Sequence, residues 1–278
     1  MAAVAAGGIF NVFGDWFLVF PMNMGMTGAA IATAGGTVIQ LMVLCAFLFT
    51  KKSHLKIVKP WEPSKAVYKA VTAGFSASVL EFAFIILTCI LNNQIMRYGG
   101  ETALSVFGVI LTCSGMFQHI YTGVGQAMQP IATTNYGAGK RKRIAYLRRI
   151  SEWTVIVMGI CFMLTGILFP TQLIHFFVDA TPEVLRAAPT IMRIYFLSFP
   201  CMGINIWATF YFQSIMRTRT SAVLTILRGI VISSIFLYLL PIWLGINGVW
   251  WAMVLTEGIV TGITCMCIFY ANRKMSRK

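Results

Sequence analysis

Asp15, Glu81, Arg228 and Glu257 stand inside long apolar stretches of this sequence. An Asp, Lys or Arg near the middle of a membrane span costs about 2.5 to 3.5 kcal/mol on insertion scales, so an ionisable group there calls for a reason. Asn11 and Asp15 are spaced i,i+4. On a helix their oxygens project from one face, where they converge on a cation or share a proton. The competing reading is that Asn11 merely satisfies Asp15 in a packed interface. Arg228 and Glu257 fall in consecutive apolar stretches, and opposite charges so placed form a pair that is static rather than a moving proton carrier. Glu81 has no evident cationic partner, which suits reversible protonation. His119 is a candidate proton relay, against the plainer reading of a hydrogen-bonded helix histidine. The 16 Met and 13% aromatic residues suit an adaptable pocket for flat lipophilic cations, although core and lipid-facing packing uses the same side chains.

The elements that position these groups follow from composition. Of 278 residues 58% are hydrophobic and 11% charged, with mean hydropathy +0.78, whereas soluble domains are about 25% charged. A soluble enzyme is excluded on that ground, and the sequence reads as an all-α membrane protein. Apolar runs long enough for the roughly 20 helical residues of a bilayer crossing give eight expected spans: about 3–20, 26–50, 66–94, 102–133, 150–177, 184–214, 220–243 and 246–271. The net charge of +14 is scattered in short clusters between them, so it reports topology and not a nucleic-acid partner. Lys51, Lys52, Lys56, Lys59, Lys65 and Lys69 follow the second span; Lys140, Arg141, Lys142, Arg143, Arg148 and Arg149 follow the fourth. Arg217 and Arg219 follow the sixth, and Arg273, Lys274, Arg277 and Lys278 end the chain. Lys and Arg in short loops stay on the cytoplasmic side, so both termini are expected there, in a multi-pass protein of the inner or plasma membrane. The seven cysteines all lie in apolar spans and read as small packers, not as a disulfide framework or a metal site.

An internal repeat adds organisation. Pro21, Gly25 and Gly28 recur as Pro241, Gly245 and Gly248, an offset of 220, each set joining one span to the next. A period of six helices follows, an arrangement that secondary transporters use with a ligand site between the copies. The expected domains are then 1–50, the last two helices of an amino-terminal bundle; 51–65, a cytoplasmic linker; and 66–278, one complete six-helix bundle with a basic tail. About four helices of the first bundle are expected to be supplied from elsewhere.

Three stretches resemble the multidrug and toxic compound extrusion (MATE) family of cation-coupled antiporters: NVFGDWFLVFPMNMGMTGAAIAT from Asn11, GVGQAMQPIATTNYG from Gly123, and LRGIVISSIFLYLLPIWLGINGVWWAMVLTE from Leu227. The second is the most specific, through Gln126, Gln129, Pro130, Asn135, Tyr136 and Gly137. The resemblance implies twelve helices in two bundles of six, of which this sequence corresponds to helices five to twelve. It also implies a cation site at Asn11, Asp15 and Thr33, with Na+ the candidate metal ion there. The family's partner aspartate on helix one has no counterpart in this sequence. Another branch of the family uses a helix-seven glutamate, for which Glu81 lies in the similar place; Asn205 is the nearest polar substitute for its acidic partner on helix ten.

The resulting expectation is a secondary transporter that exports drugs and organic cations in exchange for H+ or Na+, with no other cofactor and no enzymatic step. Its partners are the lipid bilayer, the cargo and the amino-terminal helices. Two alternatives stand beside it. One is an inactive or accessory fragment that needs a complementary half. The other is a flippase of lipid-linked sugars, which requires a cationic cleft that Arg193 and Arg228 would have to supply. No GxxxxGK[ST] phosphate loop is present, so direct drive by ATP is not expected.

Overall fold

The computed structural model describes residues 2–49, 63–177 and 181–276; of these, 2, 48, 63–66, 68–81, 272 and 274–276 are described by backbone alone. Among the described residues every regular element is a helix. That is the outcome lipid demands, because a helix satisfies its own backbone donors and acceptors where no water can. The chain divides into two compact units, Met1–Val67 and Tyr68–Lys278.

The first unit holds the hairpin of α1 (Ala2–Val19) and α2 (Gly25–Leu48). Asn23 (φ 50°) and Gly25 (φ 53°) reverse the chain between them. The two helices touch through small residues. A Cβ on Gly7 would lie 2.7 Å from the Gly36 carbonyl oxygen, and one on Gly36 would lie 2.8 Å from that of Gly7. Such backbone contact drives helix association in lipid, where apolar burial alone gives little.

The second unit runs α3 (Pro63–Gly137), α4 (Arg141–Leu168), α5 (Pro170–Phe177), α6 (Pro182–Phe196), α7 (Phe199–Ser214), α8 (Thr218–Ile226), a π-helical turn (Leu227–Val231), α9 (Ile232–Leu244) and α10 (Ile246–Ser276). Gly100, at φ 66° and ψ −165°, splits α3 into arms 63–99 and 101–137. These arms are the third and fourth expected spans, made longer because the Gly99-Gly100 pair leaves no loop. The expected fifth span, 150–177, instead starts at Arg141 and stops at Leu168. Lys and Arg are good helix formers with stems that lie along apolar surface, so the basic run joins the helix. Pro170 then opens α5, where its missing N–H costs nothing. The expected span 184–214 is two helices, α6 and α7, bent by 46°. Pro200, in the first turn of α7, cannot donate back across that junction. Pro241, expected at or near a span end, lies in the last turn of α9.

Among the described residues five helices are long and apolar enough to cross a membrane, or six if the bent pair is one span. Phe82–Gly137 counts once there although Gly100 divides it, and Ala3–Val19 is apolar but shorter. The protein is thus an all-helical, multi-pass membrane protein. Its second unit is centred on fully buried aromatics, including Trp207, Trp250, Tyr121, Phe196 and Phe199. Phe117 stacks on Phe162 at 4.1 Å, and Trp207 on Tyr211 at 5.4 Å. Two of the buried polar tips are paired, Trp207 Nε1 donating to Ser151 Oγ (2.9 Å) and Tyr121 Oη to the Phe199 carbonyl (3.1 Å), whereas Trp250 Nε1 is buried without a hydrogen-bond partner. Trp153, Trp243 and Phe269 point outward, as lipid permits. This packing sets α7 against α4 and α10, and α10 against α9, which determines the site below.

Candidate functional site

In the first unit, α1 carries Asn11 and Asp15 and α2 carries Thr33. Asn11 Nδ2 donates to Thr33 Oγ1 at 3.2 Å, and Thr33 Oγ1 donates to the Ala29 carbonyl at 3.0 Å. The Asn11 amide is therefore given to Thr33. Asp15 Oδ1 is buried without a hydrogen-bond partner. A carboxylate oxygen held away from water and from donors is unfavourable unless a proton or a cation meets it.

In the second unit, Glu257 on α10 is 1% exposed, yet both its carboxylate oxygens are engaged. Arg228 Nε donates to Oε1 at 2.6 Å, and Asn205 Nδ2 on α7 donates to Oε2 at 2.7 Å. Asn205 Nδ2 also lies 3.1 Å from the Glu257 carbonyl. Asn205 Oδ1 in turn accepts from Thr261 Oγ1 (3.3 Å) and Thr264 Oγ1 (3.2 Å). Three structural segments thus meet on one buried acid. Arg228 stands on the π-helical turn, a widened turn that in helices often marks function. Gly229 beside it lets that turn approach α3, since a Cβ there would lie 3.0 Å from Ala83 Cβ.

Arg228 and Glu257 border a cavity of about 420 Å³ within the second unit, a size that holds small organic ligands. Its walls are largely apolar, with Phe84, Leu87, Leu111, Met202, Phe210 and Met253. Polar groups in the wall include Gln118, His119 and Thr122 from the second arm of α3.

The remaining sequence candidates fall as follows. Glu81 lies in the first arm of α3, three residues before Phe84, with its side chain outside the described ones. The stretch Gly123–Gly137 forms the end of α3, and Pro130 lies inside that helix. Gln129 Nε2 donates to Gln213 Oε1 at 3.3 Å, linking α3 to α7. Asn135 Nδ2 caps the Ile131 carbonyl at 2.8 Å, while Gln126, Tyr136 and Gly137 are exposed. The chain turns at Gly139 (φ 67°), past the motif, and Lys140 N closes onto the Asn135 carbonyl at 2.9 Å. Thr261 and Thr264 were missed. Their signal was present, since Glu257, Thr261 and Thr264 follow the i, i+4, i+7 spacing of one helix face.

Helices of membrane-crossing length that bury an ion pair beside an interior cavity define an integral membrane protein with a candidate binding site in its interior. The family model MatE matches residues 72–239, over half the chain. The chain belongs to the MatE family. It is 22% identical over 277 residues to the multidrug export protein MepA of Staphylococcus saprophyticus, covering 98% of this chain and 60% of that protein. The fold is similar to a MATE crystal structure in the straight conformation, with TM-score 0.89, 18% identity, and coverage of 100% of this chain and 63% of the other. It is also similar to the outward-facing conformation of a multidrug resistance MATE transporter, with TM-score 0.88, 18% identity, and coverage of 99% and 62%. The chain spans about 60% of the length of the curated relatives it matches.

Proposed function

We propose that the chain forms part of a secondary multidrug exporter that exchanges drugs and organic cations for H+ or Na+, without enzymatic chemistry. The observation that carries this reading is Asp15 Oδ1, buried with no partner beside the Asn11–Thr33 contact. A proton or Na+ at that carboxylate stabilises one conformation of the transporter, and a cationic drug competes with it. Exchange needs only that the two ligands favour different conformations. Residues 1–50 and 66–278 then contribute the end of one bundle and the whole of a second, acting with four further helices. The protein would lie in the inner or plasma membrane with both termini cytoplasmic.

The test is efflux of a fluorescent cationic dye from vesicles under imposed proton or sodium gradients, with and without an added amino-terminal four-helix bundle. Gradient-driven efflux is expected, and its loss is expected in Asp15→Asn and Glu81→Gln. Wild-type transport by the double variant would overturn the assignment.

A further inference from the structure

The cavity of the second unit presents charge of the opposite sign from the carboxylate of the first. Glu257, its one described acid, is turned inward, 1% exposed, with Oε1 taken by Arg228 and Oε2 by Asn205. Arg228 is 22% exposed in its side chain and borders the cavity. A guanidinium carries five N–H donors. Only the Nε donor is used, so the four on Nη1 and Nη2 make no hydrogen bond among the described residues. Thr88, Thr209 and Thr225 in the wall spend their hydroxyl protons on helix carbonyls. They present neutral oxygens and no charge. A ligand therefore meets the free edge of one guanidinium, the uncharged or weakly basic side chains of Gln118, His119 and Thr122, and walls that are otherwise largely apolar.

We infer that this cavity binds an amphiphile with an anionic head, a phosphate or carboxylate, on the Nη edge of Arg228 and its apolar body against Phe84, Leu111, Met202 and Phe210. Two oxygens of such a head match the paired donors of the guanidinium edge, and the low dielectric of the site strengthens each charge-assisted bond. Glu257 and Asn205 act as positioning residues: Glu257 holds Nε, Asn205 holds the Glu257 carboxylate, and together they fix which edge faces the cavity. The inference deepens the transporter reading by naming ligand chemistry for one cavity, and binding alone tests it.

The experiment is ligand titration of the purified full chain in dodecyl maltoside, read as the shift in its thermal unfolding. Four probes share a ten-carbon tail: decyl phosphate, decanoate, decyltrimethylammonium and decanol. Decyl phosphate and decanoate are expected to bind at least tenfold tighter than decyltrimethylammonium. Arg228→Lys should weaken decyl phosphate about tenfold, since a compact ammonium replaces a planar fork. Arg228→Gln with Glu257→Gln removes both charges together, leaving no unpaired ion, and should erase the preference for anions while decanol binds as before. A cation bound as tightly as the anions, or an anion preference that survives in that double variant, overturns the inference. Should the charge variants fail to fold, Thr122→Trp fills the cavity, and undiminished decyl phosphate binding there overturns it as well. Phosphatidylglycerol retained by the purified wild type and lost in Thr122→Trp would support the inference with bilayer lipid as the source. Its absence, alongside decyl phosphate binding, would support a free amphiphile. Gradient-independent dye efflux with intact anion preference would sink the antiport reading alone, whereas antiport without anion preference would sink only this one.

Discussion

The hairpin α1–α2 and the hairpin formed by α9 and α10 use one joint and treat charge in opposite ways. In each, the first repeat glycine takes a left-handed φ, 53° at Gly25 and 57° at Gly245. In each, the second lets the new helix touch the old one: a Cβ on Gly28 would lie 3.0 Å from the Leu18 carbonyl carbon, and one on Gly248 would lie 2.5 Å from that of Leu240. Yet Asp15 has a buried oxygen without a partner, whereas Glu257 has both oxygens bound. The joint is a backbone device that tolerates either arrangement. Whether a buried acid holds a helix in place or waits for an ion is set by the donors around it, and those come from neighbouring helices.

The largest effect that separates the two acids should follow removal of Arg228. Arg228→Met leaves Glu257 buried and charged with only an amide for support, and breaking such a pair costs about 3 to 5 kcal/mol. Thermal unfolding in detergent should show that loss, and Arg228→Met combined with Glu257→Gln should recover most of it. If Arg228→Met melts like the wild type, Glu257 is no more committed than Asp15, and the contrast fails.

A smaller effect sharpens the likeness of the joints. Gly248→Ala drives a Cβ into the backbone of Leu240 and Pro241, with 2.5 and 2.7 Å to the nearest atoms. Neither can rotate aside, so a loss of about 1 to 3 kcal/mol is expected, the range for overpacking. Gly28→Ala meets Leu18 at 3.0 Å and should lose less in the same melting assay. Equal losses would mean that the two turns are equally tight, against the distances.

The joint was readable in the sequence because a turn and a close backbone approach both require glycine, and glycine can be seen in one chain. The Arg228–Glu257 contact was readable for a similar reason: two opposite charges in adjacent apolar spans have few other solutions. Asn205 entered only by resemblance. Nothing in the sequence says which face of α7 meets α10, and it is Asn205 that joins Glu257 to Thr261 and Thr264. The junction of α6 and α7 was also hidden. Pro200 was visible, but an unbroken apolar pattern runs across it, and periodicity does not register a 46° bend. The π-helical turn at Leu227–Val231, whose Gly229 lies close against Ala83 of α3, carried no signal in the apolar pattern of the sequence.

The smallest effect is expected at Asp15, and its smallness is informative. Asn has the shape of Asp without the charge, and Asp15 Oδ1 has no donor to lose. Asp15→Asn should therefore change stability by less than about 1 kcal/mol, well below the loss at Arg228. The difference should appear when ions are added. A ligand at one hundred times its dissociation constant stabilises the folded state by about 2.7 kcal/mol, so a saturating coupling ion should raise the melting temperature of the wild type. Asp15→Asn should not respond to the same ion, while Thr33→Val, which removes only the hydroxyl that accepts from Asn11, should respond in part. A large destabilisation of Asp15→Asn without added ion would show that the carboxylate serves the fold as Glu257 does, and the two hairpins would then differ only in where their charges stand.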